Sequence, residues 1–410
     1  MHILYINHFA GSKTHGMEFR PYFLGKPWVQ LGNKVSILAA SFAHTRVKQP
    51  EVKLDFQNDK IDGIDYYWID CPRYSGIGMK RLINFFVFIF KLSIRSRFIA
   101  RELKPEIVIA SSTFLLDIYP AFLIAKFSRA KLVYEFPDLM PISLTEVFNY
   151  KQYHPFIVLL AITERFIYKV SSRVICVLPN GYAHMSKFGL KKEKYSFVPN
   201  GLDVESWQES NGELPPILIA KINEFKSKGF FLIGYAGYIS KQNSLETLIN
   251  SAVLLQDEKI CFLIVGDGPF KREIVEMSQM KSLKNLIFFD PIPKISVPTF
   301  LDQMDALFIA FRKLKLYEYG VNTNKLYDYM MSGKPVIQSQ NAGNDLVAEA
   351  NCGISCPAED PDSVKQGILE LKNMSTEERR RLGLNGQNHV INNYDYKILG
   401  KRYITELLRD

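Results

Sequence analysis

The chain has 410 residues, 47% of them hydrophobic, and carries a formal net charge of +9. That length exceeds one ordinary core and implies two or three domains, and the composition excludes a disordered or fibrous chain. Five scattered cysteines exclude a disulfide framework, and Cys352 and Cys356 have no accompanying Cys/His pair to complete a zinc site, so all read as reduced thiols of a cytosolic protein.

Residues 1–6 are apolar but short, and polar residues follow at once. They read as a first strand, not as a signal peptide. The loop 7–18 leaves the carboxyl end of that strand, where open α/β sheets place ligands, and Gly16 in it permits close approach of a substrate. Further strands of the first half are predicted at 35–39, 107–110, 132–135, 174–178 and 196–198, with helical stretches between them. The loop 135–141 also faces the ligand end of such a sheet. In it Asp138 reads either as a turn-former or as a carboxylate that orients a substrate hydroxyl.

The stretch 80–101 is rich in Phe, with Lys80, Asn84, Lys91 and Arg95 along one stripe and apolar side chains over most of the circumference. Its longest apolar run, 82–90, is far shorter than the roughly 20 residues a membrane span requires. Two readings stand: a basic amphipathic helix in the headgroup region of an anionic bilayer, or a core helix with a basic solvent edge. The wide apolar arc favours the first. Lys and Arg are not gathered in a tail and no nucleic-acid module signature occurs, so nucleic acid is not an expected partner.

Residues 203–216 are polar, end in Pro-Pro and read as a linker. The second half then repeats the alternation, with strands predicted at 231–235, 261–265, 286–289, 306–309 and 335–338. The fold class is therefore α/β, with two Rossmann-like, doubly wound parallel-sheet domains facing a central cleft. Their expected bounds are 1–205 and 217–390, and a last helix at 391–410 is expected to return toward the first domain.

The segment 320–335 carries the most chemistry. Asn322 or Thr323 is placed to cap a helix running to about Met331. Free amides and the positive dipole end at Asn322, Thr323, Asn324, Lys325 and Leu326 suit a diphosphate, and Asp328 lies deeper, where it reaches the hydroxyls of an attached ribose. The bland alternative is an ordinary capped helix with a solvated Asp. Gly237 ends the first strand of the second half and admits a ligand to the backbone, with Lys241 following as a point charge for phosphates. Gly266-Asp267-Gly268 reads as a tight strand-to-helix turn. Neither turn is a dinucleotide fingerprint. Asp360-Pro361-Asp362 has the spacing of a metal-binding pair but reads as helix capping.

In their order and spacing these motifs resemble the retaining glycosyltransferases of family 4, which have the two-lobed GT-B architecture. The likeness covers nearly the whole chain: the 1–6 strand with the Gly16 loop, Leu31-Gly32-Asn33-Lys34-Val35, the hinge-like Pro199-Asn200-Gly201-Leu202-Asp203, Val265-Gly266-Asp267-Gly268-Pro269, Asn324-Lys325-Leu326-Tyr327-Asp328-Tyr329-Met330 and Gly333-Lys334-Pro335-Val336. The variant resembles a branch that builds bacterial surface polysaccharides and includes aminosugar transferases. The resemblance implies a nucleotide-sugar donor, UDP-linked, and transfer with retention, with no metal and no other cofactor. It implies a saccharide or undecaprenyl-type lipid-linked acceptor, and placement at the inner face of the cytoplasmic membrane with residues 80–101 against the anionic surface. On it, donor binding falls to Gly16, Gly237, Lys241, Asn322, Thr323, Asn324, Lys325, Leu326 and Asp328, acceptor binding to His15, Glu18 and Asp138, and catalysis to Asp138, Lys241 and Lys325. The sequence departs from the family pattern at Gly320, where a first glutamate is usual and for which Glu318 is a possible substitute, and at Tyr238, where an arginine is usual. A non-hydrolysing nucleotide-sugar epimerase and a non-catalytic nucleotide-sugar-binding scaffold are the alternatives on the same architecture.

Overall fold

The computed structural model describes residues 1–16, 20–76 and 78–409. The chain divides into two compact units, 1–200 with 396–410, and 201–395.

The first unit holds strands β1 (His2–Ile6), β2 (Lys34–Ala40), β3 (Gln57–Ile61), β4 (Ile64–Ile69), β5 (Ile107–Ser111), β6 (Lys131–Phe136), β7 (Arg173–Cys176) and β8 (Tyr195–Phe197). They form one sheet in the order β3-β4-β2-β1-β5-β6-β7-β8, parallel except for the β3–β4 pair. β1, β5 and β7 are buried along their whole length, as strands covered by helices on both faces must be. The β3–β4 hairpin was not predicted. Its signal is the Asp62-Gly63 turn, with φ of 47° and 82°, which joins two strands of alternating burial.

Helices α1 (Arg20–Gln30), α2 (Met79–Ile94), α3 (Ser96–Leu103), α4 (Ile118–Ser128), α5 (Ile142–Val147) and α6 (Pro155–Val170) belong to this unit, as does the C-terminal helix Tyr396–Leu408. The last packs against α1, where the Trp28 indole donates to Gly400 O at 3.0 Å and its ring meets Tyr403 edge-on at 5.1 Å.

The orientation of α2 splits the predicted polar edge. Asn84 is fully buried, with its Oδ1 against His8 Nε2 at 2.6 Å and its amide donating to Pro72 O at 2.7 Å. Lys91 and Arg95 reach Asp55 at 3.2 and 2.7 Å. The stripe that faces solvent is apolar: Met79, Ile83, Phe86, Phe90 and Ile94. Lys80 is exposed, and Lys91 and Arg95 stay partly exposed in their pairs with Asp55. Asn84 is turned inward because its carbonyl and amide find partners there.

The second unit holds β9 (Phe231–Ala236), β10 (Ile260–Val265), β11 (Leu286–Phe289), β12 (Ala306–Ala310), β13 (Val336–Ser339) and β14 (Gly353–Cys356), all parallel, in the order β11-β10-β9-β12-β13-β14. Strand order reverses between β9 and β12, and the open carboxyl ends at that switch point are where such a sheet takes its ligand. The stretch expected to be a linker belongs to this unit's core. Asp203 caps a short helix (Val204–Gln208) by accepting from Ser206 N, and Val204 and Leu214 are buried with the β9 and β12 side chains. The cysteines are all free and buried. Asp360 caps the helix Pro361–Asn373 through Ser363 N at 3.0 Å.

Candidate functional site

The helix Asn324–Met331 follows β12 and starts at the switch point. Thr323 occupies its cap position in extended conformation and gives no side-chain cap bond. The first amide to find an acceptor is that of Leu326, at 3.2 Å from Thr323 O. The amides of Thr323, Asn324 and Lys325 have none among the described residues and stand open at the positive end of the helix. Leu326 itself is a core side chain, and its amide is spent on Thr323, so it offers nothing to a ligand. Asn322 accepts from the Tyr327 hydroxyl at 3.0 Å.

Lys325 turns back over the end of β9. Its Nζ donates to Tyr235 Oη at 2.5 Å, lies 4.1 Å from the centroid of that ring, and approaches Asn243 Oδ1 at 3.4 Å. This path requires Gly237, where a β-carbon would meet Lys325 Cε at 2.6 Å. The Tyr235 hydroxyl gives its one proton to Tyr238 O at 2.7 Å, so toward Lys325 it can only accept. Asn243 donates to Tyr238 O and Ser240 Oγ, both at 2.9 Å, closing the loop around the ammonium. No described carboxylate pairs with Lys325, and burial pushes its pKa down to about 7. An uncompensated, partly buried cation beside open amides is a site for an anion.

Asp328 lies one turn further along the same helix, 7% exposed. Its Oδ2 accepts from Lys294 Nζ at 2.5 Å, whereas Oδ1 is buried and accepts nothing from the described residues. A carboxylate oxygen in that state is completed by donors from outside, such as vicinal hydroxyls. Lys294 and the pair Tyr235 and Asn243 were not read from the sequence. Lys294 lies 34 residues upstream of its partner, and no local spacing announces it.

Lys241 is placed otherwise. More than half of its side chain is exposed, with Nζ 3.9 Å from Glu273 and 5.3 Å from the Phe270 ring centroid. It is not brought onto the Lys325 cluster, although Asn243, which touches Lys325, ends the same one-turn helix (Lys241–Asn243). Glu318 is exposed, and Gly320 has φ 102°, a left-handed backbone at which a glutamate would be strained.

In the first unit, His15 is buried, with Nδ1 at 2.8 Å from Ser12 Oγ and its ring edge-on to Trp68 at 5.1 Å. Burial, then Arg46, lowers its pKa to about 4, so it is neutral near pH 7. Gly16 sits at φ 68° against Val47. Asp138 is partly buried and accepts from Leu139 N at 2.8 Å, and burial raises its pKa. Glu18 lies outside the described residues. Sequence reasoning also missed the fully buried Glu135. Arg20 reaches its Oε2 at 2.9 and 3.1 Å, while Tyr5 and Ser111 donate to its Oε1 at 2.5 and 3.0 Å. Arg20 also donates to Val198 O and Pro199 O, tying that network to the Pro199-Asn200 turn.

Open amides, a lone cation and a half-satisfied carboxylate at the switch point suit a phosphorylated ligand, and two doubly wound α/β units in one chain define a GT-B protein. The models of known families agree with that geometry. Residues 15–206 match "Glycosyltransferase Family 4" and residues 231–373 match "Glycosyl transferases group 1". The chain belongs to the family 4 glycosyltransferases.

Among curated proteins it is 25% identical over 218 residues to the "Putative colanic acid biosynthesis glycosyl transferase WcaI" of Escherichia coli (strain K12). The match covers 53% of this chain and 51% of WcaI, so the chain spans about half the length of the curated relative it matches. Among solved structures it is similar to sucrose-phosphate synthase from Thermosynechococcus elongatus (TM-score 0.72, 15% identity, 98% of this chain and 97% of that one). It is also similar to Anabaena HepE in complex with UDP and glucose (TM-score 0.66, 14% identity, 99% and 98%). At these identities the likeness is one of fold.

Proposed function

We propose that this glycosyltransferase takes a UDP-sugar at the β9/β12 switch point and transfers the sugar with retention of configuration to a saccharide or lipid-linked saccharide. The observation that carries the reading is the pairing of Lys325, which has no carboxylate partner, with Asp328, which has one unused acceptor, on a single open helix start. In the bound state the diphosphate lies on the amides of Thr323, Asn324 and Lys325, with the Lys325 ammonium against it, and Asp328 grips the ribose.

Departure of the nucleoside diphosphate builds negative charge, which preorganised amides and a cation stabilise without reorganisation. That is the role a metal plays in other transferases, and the reaction proposed here uses none. HepE was solved with UDP and glucose, and the "Trehalose-6-phosphate from E. coli" structure with UDP-2-fluoro glucose, which supports UDP as the nucleotide. The name of WcaI supports surface-polysaccharide assembly, here read as colanic-acid-like, lipopolysaccharide or capsule material, and the motif resemblance alone suggests an aminosugar as the transferred unit. No helix among the described residues is long and apolar enough to cross a membrane. The outward apolar stripe of α2 supports a peripheral position at the cytoplasmic face, where a lipid-linked acceptor is met.

The test is a panel of UDP-sugars offered with and without lipid-linked acceptors and followed by NMR. Acceptor-dependent release of UDP with an axial-to-axial outcome is expected. Conversion without acceptor would instead make the protein an epimerase, and tight binding with no turnover on any acceptor would make it a scaffold.

A further inference from the structure

The apolar stripe of α2 is not alone. The connections β4→β5, β5→β6 and β6→β7 all run in the same direction across the sheet, so right-handed crossovers put α2, α3, α4 and α6 on one face of it. Contacts of α4 with α2, α3 and α6 make that face a continuous helical layer. Along it α2 exposes Met79, Ile83, Phe86, Phe90 and Ile94, and α6 exposes Val158, Leu159 and Ile162. The segment leading into α6 adds Phe148, Tyr150 and Tyr153, the last 74% exposed. Between the arms, Phe127 of α4 lies under the Arg97 guanidinium at 4.9 Å. Single exposed apolar residues are ordinary, but two parallel stripes on one layer are not.

Charge selects the occupant. Residues 79–101 carry Lys80, Arg81, Arg97 and Arg101 beside Lys91 and Arg95, which Asp55 pairs, and no Asp or Glu of their own, and residues 148–163 carry Lys151 and no Asp or Glu. The first carboxylate on α6, Glu164, is 1% exposed and is turned inward to Tyr168 and His184. Beyond Ile162 the exposed stripe of α6 continues as Arg165 and Lys169. Apolar ridges with a basic rim and tyrosines at their edge fit the headgroup region of an anionic bilayer. A second copy fits less well, because a two-fold interface would press the cationic rims together.

We propose that α2 and α6, with the 148–155 segment, form two arms of one membrane seat, each arm sinking its apolar stripe into the same anionic leaflet. This rests on the peripheral placement given above and extends it to a region that the sequence pattern did not single out.

The experiment is sedimentation of the full chain with phosphatidylcholine vesicles, with and without phosphatidylglycerol, at low and high salt. Phe90→Glu with Ile94→Glu tests the first arm, and Val158→Glu with Ile162→Glu tests the second. Each pair is expected to lower partitioning roughly tenfold, with binding dependent on anionic lipid and weakened by salt. Because all native cysteines are buried, Ile162→Cys can be labelled with an environment-sensitive dye, whose emission is expected to shift blue on vesicles. Wild-type partitioning of the second pair, or a dye that stays in water, overturns the two-armed seat. Loss of self-association in the variants with unchanged vesicle binding also overturns it and makes the layer a face between copies. UDP titration of the same variants is expected to match wild type, so failure of the seat leaves the donor site standing, and failure of UDP binding in wild type leaves the seat standing.

Discussion

Two buried carboxylates, one in each unit, are completed in different ways. In the first, the Glu135 carboxylate is fully buried and all its donors come from the protein: Arg20 twice, Tyr5 and Ser111. In the second, Asp328 is nearly as buried yet leaves one oxygen unused, and Lys325 has no opposite charge. A closed network positions a fold, whereas an open one is completed by a ligand. Asp117 and Glu164 of the first unit also leave a buried oxygen unused, so the difference teaches that the site is marked by unfinished polar chemistry beside a lone cation and open amides, and not by one open carboxylate.

The comparison is most sharply tested where the network is closed. Arg20→Ala strips a buried carboxylate of its counter-ion and is expected to cost about 3–5 kcal/mol of stability, read as lowered melting of the first unit, with UDP affinity kept. Burial alone would raise the Glu135 pKa, but the Arg20 guanidinium holds it below its ordinary value. That contribution is therefore present at neutral pH and lost as pH falls below the usual carboxylate range. Asp328→Ala should behave in the reverse way. Charge-assisted bonds to the ribose contribute about 1.5–3 kcal/mol each, so kcat/KM is expected to drop about a hundredfold. The melting point is expected to stay near wild type, because Lys294, 60% exposed, is readily solvated when its partner goes. Equal melting losses in the two variants would erase the distinction between closed and open networks.

Next in size is the pH response. Burial lowers the Lys325 pKa from the ordinary lysine value of 10.5 to about 7, so the free enzyme loses this cation as pH rises through about 7. The diphosphate of a UDP-sugar keeps its charge in that range. Its Kd is therefore expected to weaken by up to about tenfold per pH unit above 7, and Lys325→Met is expected to flatten the profile. Tyr235→Phe removes the acceptor that orients the ammonium. It is expected to raise the UDP-sugar Kd several-fold without moving the melting point by more than a few degrees, as calorimetric titration and a thermal scan would show.

The sheets were legible because strands buried on both faces read as apolar runs between polar loops, and the switch-point helix was legible from its cap, lysine and aspartate. What escaped was whatever depends on contacts distant in sequence. Lys294 joins Asp328 from another element, and Glu135 looks like a strand residue until Arg20 is folded over it. The polarity of α2 leaves two readings open from sequence, because nothing in the helix itself says that Asn84 is needed by His8 and Lys91 by Asp55. The β3–β4 hairpin, by contrast, carried its own local turn signal at Asp62-Gly63.

The smallest effect separates the two lysines. Both were placed on the phosphates by position in the chain, and both lie next to Asn243, one by sequence and one by contact. Lys241 already has a carboxylate within 3.9 Å and is mostly solvated, and such a pair contributes about 0–1 kcal/mol. Lys241→Ala is therefore expected to change the UDP-sugar Kd less than about fivefold, while Lys325→Met exceeds that at every pH below 7. If Lys241→Ala were the more damaging in a calorimetric titration, the cation that matters would be the one that swings from Glu273 on binding. The buried cluster on Tyr235 would then be a structural joint of the second unit, of the same kind as Arg20 and Glu135 in the first.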